Sequence, residues 1–255
     1  MKTTILSAVV FSTLGAHAST ISLNFVRGSN GATALAPGDV AGVVAEDHWN
    51  NAPQATANNH TGLALVDGDN LATTATADWV TGGASWSTAT AGAGSASNQA
   101  MMTGYLDQGG DGNGQIHTIT INAIPYANYD VYLYHSSSGG ANRTARYQAG
   151  GIDIWTRNLD PANTFDGFVQ AGYATLAEAA VAGGNTAGNY VLWQGLSGAI
   201  LNIEGQGFGD ADGGSGGNTR RAPIQGIQIV ETIPEPGSTL LLLIGSFAAL
   251  GRRRR

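Results

Sequence analysis

The sequence predicts an all-β body: an antiparallel β-sandwich of about ten short strands with one short helix. Three observations carry that expectation. Apolar and polar residues alternate with a period of two in run after run, the spacing that puts every second side chain on one face of a strand. Gly, Asn or Asp bounds each run, and these residues turn the chain most easily. A helical spacing stands out in one place only.

Ile21-Ser22-Leu23-Asn24-Phe25 opens the body, and Gly62 to Val66 is the next strand candidate. Ala77 to Trp86 and Met101 to Leu106 follow. His117 to Ile124 and Tyr129 to Tyr134 flank the turn Pro125-Tyr126-Ala127-Asn128, which predicts a hairpin. Thr144 to Gln148, Ile152 to Trp155, Tyr190 to Trp193, Ala199 to Ile203 and Ile224 to Val230 complete the strands. Trp79, Trp86, Trp155 and Trp193 fall inside candidates and are expected in the core. The helix is expected after Thr175, which has capping-box spacing to Glu178, with Gly183 as the stop.

Charge narrows the function. Lys2 and Arg252 to Arg255 hold five of the eleven basic residues, so residues 19–232 keep six arginines against seventeen acidic residues, a net charge of −11. So acidic a surface excludes nucleic acid as a partner and disfavours anionic membrane surfaces. The chain has no cysteine, so no disulfide supports it; the core must, with bound metal ions as the other means. With 38 glycines and 7 prolines in 255 residues it is not a low-complexity chain.

The two ends differ from the body. Lys2 is followed by the apolar run Ile5 to Leu14 and then Ala16-His17-Ala18, a small-x-small pattern that predicts a signal peptide over residues 1–18, cut after Ala18. At the other end Pro234-Glu235-Pro236 precedes a mostly apolar stretch, Gly237 to Gly251, and the cluster Arg252 to Arg255. Fifteen residues make roughly 22 Å of helix, a short membrane anchor. The arginines would stay cytoplasmic, leaving the body outside. The prolines keep the chain around Glu235 extended, as a protease requires.

In order and spacing this tail resembles the PEP-CTERM sorting signal of bacterial exported proteins. That resemblance implies recognition by a membrane-embedded exosortase-type enzyme, transient anchoring in the inner membrane, and release to the cell surface or extracellular matrix. Two stretches of the body, Ile124 to Leu133 and Ile224 to Ile229, are similar to malectin-like and galactose-binding-type jelly rolls. This implies a jelly-roll-like sandwich over residues 19–232, followed by the sorting segment 233–255. Both stretches are framework strands, so no binding residue carries over.

Chemistry-bearing motifs are few. Gly213-Gly214-Ser215-Gly216-Gly217 spells a nucleophile elbow but lacks the strand before it and the helix after it. Gly205-Gln206-Gly207-Phe208-Gly209 lacks the βαβ context of a dinucleotide loop. His48, His60, His117 and His135 share no metal-ligand spacing. Two acidic glycine-rich loops are calcium candidates, with Asp107, Asp111 and Asn113 in one and Asp210 and Asp212 in the other. Trp49, flanked by His48, Asn50 and Asn51, is the candidate for stacking on a sugar ring; packing beneath its loop is the competing role. The leading reading is a non-enzymatic surface or matrix protein that binds polysaccharide. A secreted carbohydrate-active enzyme and a ligand-free structural module are the alternatives.

Overall fold

The computed structural model describes residues 18–26, 34–52, 59–81, 84–87, 94–107, 116–136, 143–157, 167–181, 188–210 and 221–233. In chain order the strands are β1 (Thr20–Phe25), β2 (Asn50–Ala52), β3 (Asn59–Val66), β4 (Ala72–Val80), β5 (Ala84–Ser87), β6 (Gly104–Asp107) and β7 (Ile116–Asn122). They continue with β8 (Asn128–Tyr134), β9 (Arg143–Ala149), β10 (Ile152–Arg157), β11 (Tyr190–Ser197), β12 (Leu201–Asp210) and β13 (Gly226–Glu231). Two short helices, α1 (Ala96–Met101) and α2 (Leu176–Val181), interrupt them.

Five strands form one sheet in the order β11-β8-β13-β1-β2, and six form the other in the order β10-β9-β12-β7-β4-β3. A separate β5–β6 ribbon pairs through backbone bonds between Leu106 and Ile224, just ahead of β13. Pairing is antiparallel except between β1 and β2, whose long connection permits a parallel pair. The architecture is the all-β, jelly-roll-like sandwich expected from the sequence.

Alternation explains which side chains meet. Leu23, Val131, Leu133 and Ile229 point inward from the five-stranded sheet against Trp79, Ile119, Tyr147 and Ile203 from the other. Phe25 meets Trp79 edge-on at 5.5 Å between ring centroids. A second cluster, with Leu35, Trp49, Met101, Met102 and Tyr134, covers the outer face of the five-stranded sheet. Strand β1 is therefore buried on both faces, and its polar residues need partners inside the protein. Gln228 Nε2 donates to Ser22 Oγ at 3.1 Å, and Asn24 Nδ2 donates to Asn51 Oδ1 at 3.0 Å.

Several local expectations are corrected. The hairpin at Pro125 does not form, because β7 belongs to the six-stranded sheet and β8 to the five-stranded one. Alternation fixes which face of each strand is buried but not which sheet it joins. The chain crosses between sheets instead: Ala123 takes a φ of 52°, and Ile124 N–H donates to Ala199 O at 3.0 Å. The run Ala77 to Trp86 divides at Val80, and Met101 ends a helix rather than starting a strand. That extra helix is capped by Ser95, whose Oγ accepts from Asn98 N at 3.2 Å.

The expected helix is present as α2. Glu178 N–H donates to Thr175 Oγ1 at 3.2 Å while Glu178 Oε2 accepts from Thr175 N at 3.1 Å, the reciprocal capping box. Gly183 lies outside the described residues, as do residues 1–17 of the expected signal peptide and the tail from Pro234 onward. Among the described residues no helix is long and apolar enough to cross a membrane.

Candidate functional site

The outer face of the six-stranded sheet carries the polar and aromatic side chains that the core does not take. Across β10, β9 and β12, Asp153 pairs with Gln148 and Gln148 with Glu204, while Trp155 pairs with Arg146 and Arg146 with Gln206. Residues paired across strands share a face, so these two rows stand side by side. Their neighbours along the strands, Tyr147, Ala149, Ile203 and Gly205, point into the core.

Arg146 organises this face. One of its terminal nitrogens lies 3.4 Å from Glu204 and the other 3.8 Å from Asp153, while Gln148 Nε2 donates to Asp153 Oδ1 at 2.6 Å. Both ion pairs are longer than a tight charge-assisted bond, and the Arg146 Nε–H has no partner. Beyond Arg146, Trp155 and Phe208 pack with ring centroids 4.6 Å apart. Trp155 thus departs from the expectation of a core tryptophan: Ile154 packs against the core and Trp155, one residue on, lies half-buried on the outer face.

At the other end of the two rows lies a groove of about 500 Å³, within the range of small-ligand sites. Gln148, Asn202 and Glu204 line it together with Ser197, Gly150 and Gly151 of the β9–β10 turn, Gly195 at the β11 bulge, and the apolar Leu196 and Ile200. Gly150 suits its place: its φ is +57°, in the left-handed region that glycine enters freely, and a Cβ there would press on Leu196 Cδ2 at 2.8 Å. Beneath the groove Tyr129 Oη donates to Gly198 O at 3.1 Å, and burial raises the pKa of that phenol.

The residues singled out in the sequence lie elsewhere. Trp49 is only 8% exposed, with its indole N–H donating to Glu46 O at 3.0 Å and its ring edge-on to Tyr134. Asn50 Nδ2 donates to both Ser22 O and Val66 O at 2.9 Å, tying β1 to β3. Asn51 Oδ1 accepts from Leu35 N and Asn24 Nδ2, each at 3.0 Å. His48 is partly exposed, its Nδ1 lying 2.7 Å from Asp47 Oδ1. The cavity beside them is about 130 Å³, below the usual size of a ligand site.

Glu46, Asp47 and His48 bring three metal-capable atoms within 4.8 Å of one another. Glu46 Oε1 already accepts from the N–H groups of Asp47 and His48, and three donors fall short of the six to eight oxygens calcium takes. Of the calcium candidates, Asp111, Asn113 and Asp212 lie outside the described residues. Asp107 and Asp210 end β6 and β12.

The site residues the sequence reading passed over had one visible signal. In Gly205-Gln206-Gly207-Phe208-Gly209 every large side chain falls on alternate positions, a strand with glycine on its inner face and bulk on its outer face. Position 205 faces inward and is glycine because a Cβ there would overlap Nε2 of His117 on the neighbouring strand.

Comparison with known proteins bears on the tail first. Residues 232–255 match the PEP-CTERM protein-sorting motif. The chain carries a PEP-CTERM sorting signal. That motif spans Pro234, Glu235, Pro236 and the terminal arginines, and it implies export and sorting through the C-terminal tail by an exosortase-type enzyme. No curated protein sequence matches the chain. Among solved structures, the chain is similar to the crystal structure of an exo-beta-1,3-galactanase from Phanerochaete chrysosporium with galactose. The TM-score is 0.30 and the identity 15%, over 64% of this chain and 30% of that one.

Proposed function

We propose that this PEP-CTERM protein is displayed at the cell surface or in the extracellular matrix, where its sandwich binds polysaccharide without cleaving it. The observation that supports this reading is the groove of about 500 Å³, open to solvent and lined by amide, hydroxyl and carboxylate groups beside Leu196 and Ile200. Such groups pair with sugar hydroxyls, and the glycines at the rim admit a broad ligand.

An enzyme is the second reading, and one observation favours it: Glu204 and Asp153 flank a common centre. Glycosidases place two carboxyl groups about 5–9.5 Å apart around the scissile bond. Here the centre is filled by the Arg146 guanidinium, which occupies the space a glycosidic oxygen would need.

The test is retention on immobilised soluble polysaccharides, with release of reducing ends followed in the same samples. Retention without new reducing ends is the expected result. Turnover would replace the first reading with the second, and an absence of retention on every polymer would leave a structural module.

A further inference from the structure

We infer that the ligand is an uncharged polysaccharide strand lying along β9 and β12, from the groove past Gln148, Glu204 and Arg146 to the Trp155–Phe208 pair; this rests on the polysaccharide reading above. Gln148 and Glu204 line the groove and also belong to the hydrogen-bonded rows around Arg146, so groove and rows form one continuous surface. From Asn202 at the groove to Phe208, six residues of strand rise about 20 Å. That length matches several sugar units of a chain and exceeds one monosaccharide.

The chemistry along this path changes in a useful order. In the groove, amide and carboxylate groups offer hydrogen bonds to hydroxyls. At the centre the terminal nitrogens of Arg146 are held at 3.4 and 3.8 Å from Glu204 and Asp153, long enough for a sugar hydroxyl to compete for them. At the far end the half-buried rings of Trp155 and Phe208, tilted 57° to each other, leave apolar edges for a sugar ring's C–H face. A single bound sugar could reach only one of these zones. A strand reaches all three.

Charge selects the class of polymer. Asp153, Glu204 and Arg146 together carry one net negative charge, and residues 19–232 carry −11. A uronic-acid or sulfated chain would meet repulsion both on approach and on the face itself.

The test uses affinity electrophoresis of the purified protein through gels containing neutral soluble glucan, galactan or mannan, with a uronic-acid polymer as the charged probe. Wild-type protein should be retarded by at least one neutral polymer and not by the charged one. Trp155→Ala and Phe208→Ala should each weaken that retardation about tenfold while leaving the melting curve in place. Oligosaccharides of the same polymer should gain affinity with length beyond a disaccharide, and that gain should disappear in Trp155→Ala. Should either truncation disturb folding, Trp155→His and the groove variant Gln148→Ala serve in its place, again with about tenfold weakening expected. Retardation unchanged in all these variants would overturn the proposed path while sparing the polysaccharide reading. Retardation by the charged polymer alone would overturn the uncharged class, and none by any polymer would overturn both readings.

Discussion

Acidification should destabilise this protein through one identifiable histidine. His117 stands on β7 with its imidazole fully buried between the sheets, and neither ring nitrogen has a hydrogen-bond partner. Burial disfavours the charged ring and lowers its pKa from 6.5 to about 4. The unfolded chain therefore takes up a proton in this interval that the folded chain does not. The contribution to stability is complete above about pH 6.5, declines as pH falls, and is lost once pH passes below about 4. At about 1.4 kcal/mol per pH unit, that interval is worth about 3 kcal/mol. Urea unfolding followed by tryptophan fluorescence, at about pH 7.5 and about pH 4, measures it. Carboxylates titrate in the same range, so the informative quantity is the difference between wild type and His117→Leu, whose side chain cannot be protonated. Wild type should lose about 3 kcal/mol more than the variant. Equal losses in both would refute the assignment to His117.

Further outcomes follow from other contacts. Gly205→Ala should destabilise by about 1–3 kcal/mol, since its Cβ would overlap the His117 ring, and His117→Ala in the same chain should relieve part of that loss in a denaturation cycle. Trp49→Ala should cost about 3–5 kcal/mol in chemical denaturation, because the ring fills the cluster around Tyr134; weakened glycan retention with unchanged stability would instead support a stacking role. If the loops holding Asp107, Asp111, Asn113, Asp210 and Asp212 bind calcium, a chelator should lower the melting temperature, and an unchanged curve would leave them as turns. Intact mass of the surface form from its host should begin near Ser19 and lack Arg252 to Arg255, and recovery of those arginines on the surface would contradict processing at Pro234-Glu235-Pro236.

The strands were legible in the sequence because each had to bury one face, and a period of two is the direct record of that requirement. Thr175 and Glu178 were legible because a capping box is local, closed by two hydrogen bonds within four residues. Sheet membership was not legible. His117 to Asn122 and Tyr129 to Tyr134 look alike whether they pair with each other or face each other across a core, and the difference lies in a crossing whose Ile124 N–H is held by Ala199, far along the chain. The helix at Ala96 was also hidden, since Ala, Ser, Asn and Gln carry no apolar periodicity and it forms under a cap at Ser95 with Met101 buried in the second cluster. Calcium loops and tail processing concern residues whose meaning is chemical, and no period records it.

The position of the candidate site follows from an asymmetry between the sheets. The five-stranded sheet presents polar residues on its outer face, Ser22, Asn24 and Gln228, of the kinds that also stand on the six-stranded sheet. There the segment from Leu35 to Trp49 covers them, and each is drawn into an internal bond: Gln228 to Ser22 Oγ and Val44 O, Asn24 to Asn51, and Tyr134 Oη donating to Gln228. Buried and bonded to the cover, they specify its packing and are closed to a ligand. On the other sheet Gln148, Asn202 and Glu204 keep contact with solvent, and Arg146 holds its carboxylates at 3.4 and 3.8 Å. Amide side chains on the two sheets thus have opposite fates, decided by whether a connecting segment bonds to them. A long ligand needs polar groups in contact with solvent, and on the six-stranded sheet Gln148, Asp153, Asn202 and Glu204 supply them, whereas Thr144 and Arg157, farther along the same face, are buried.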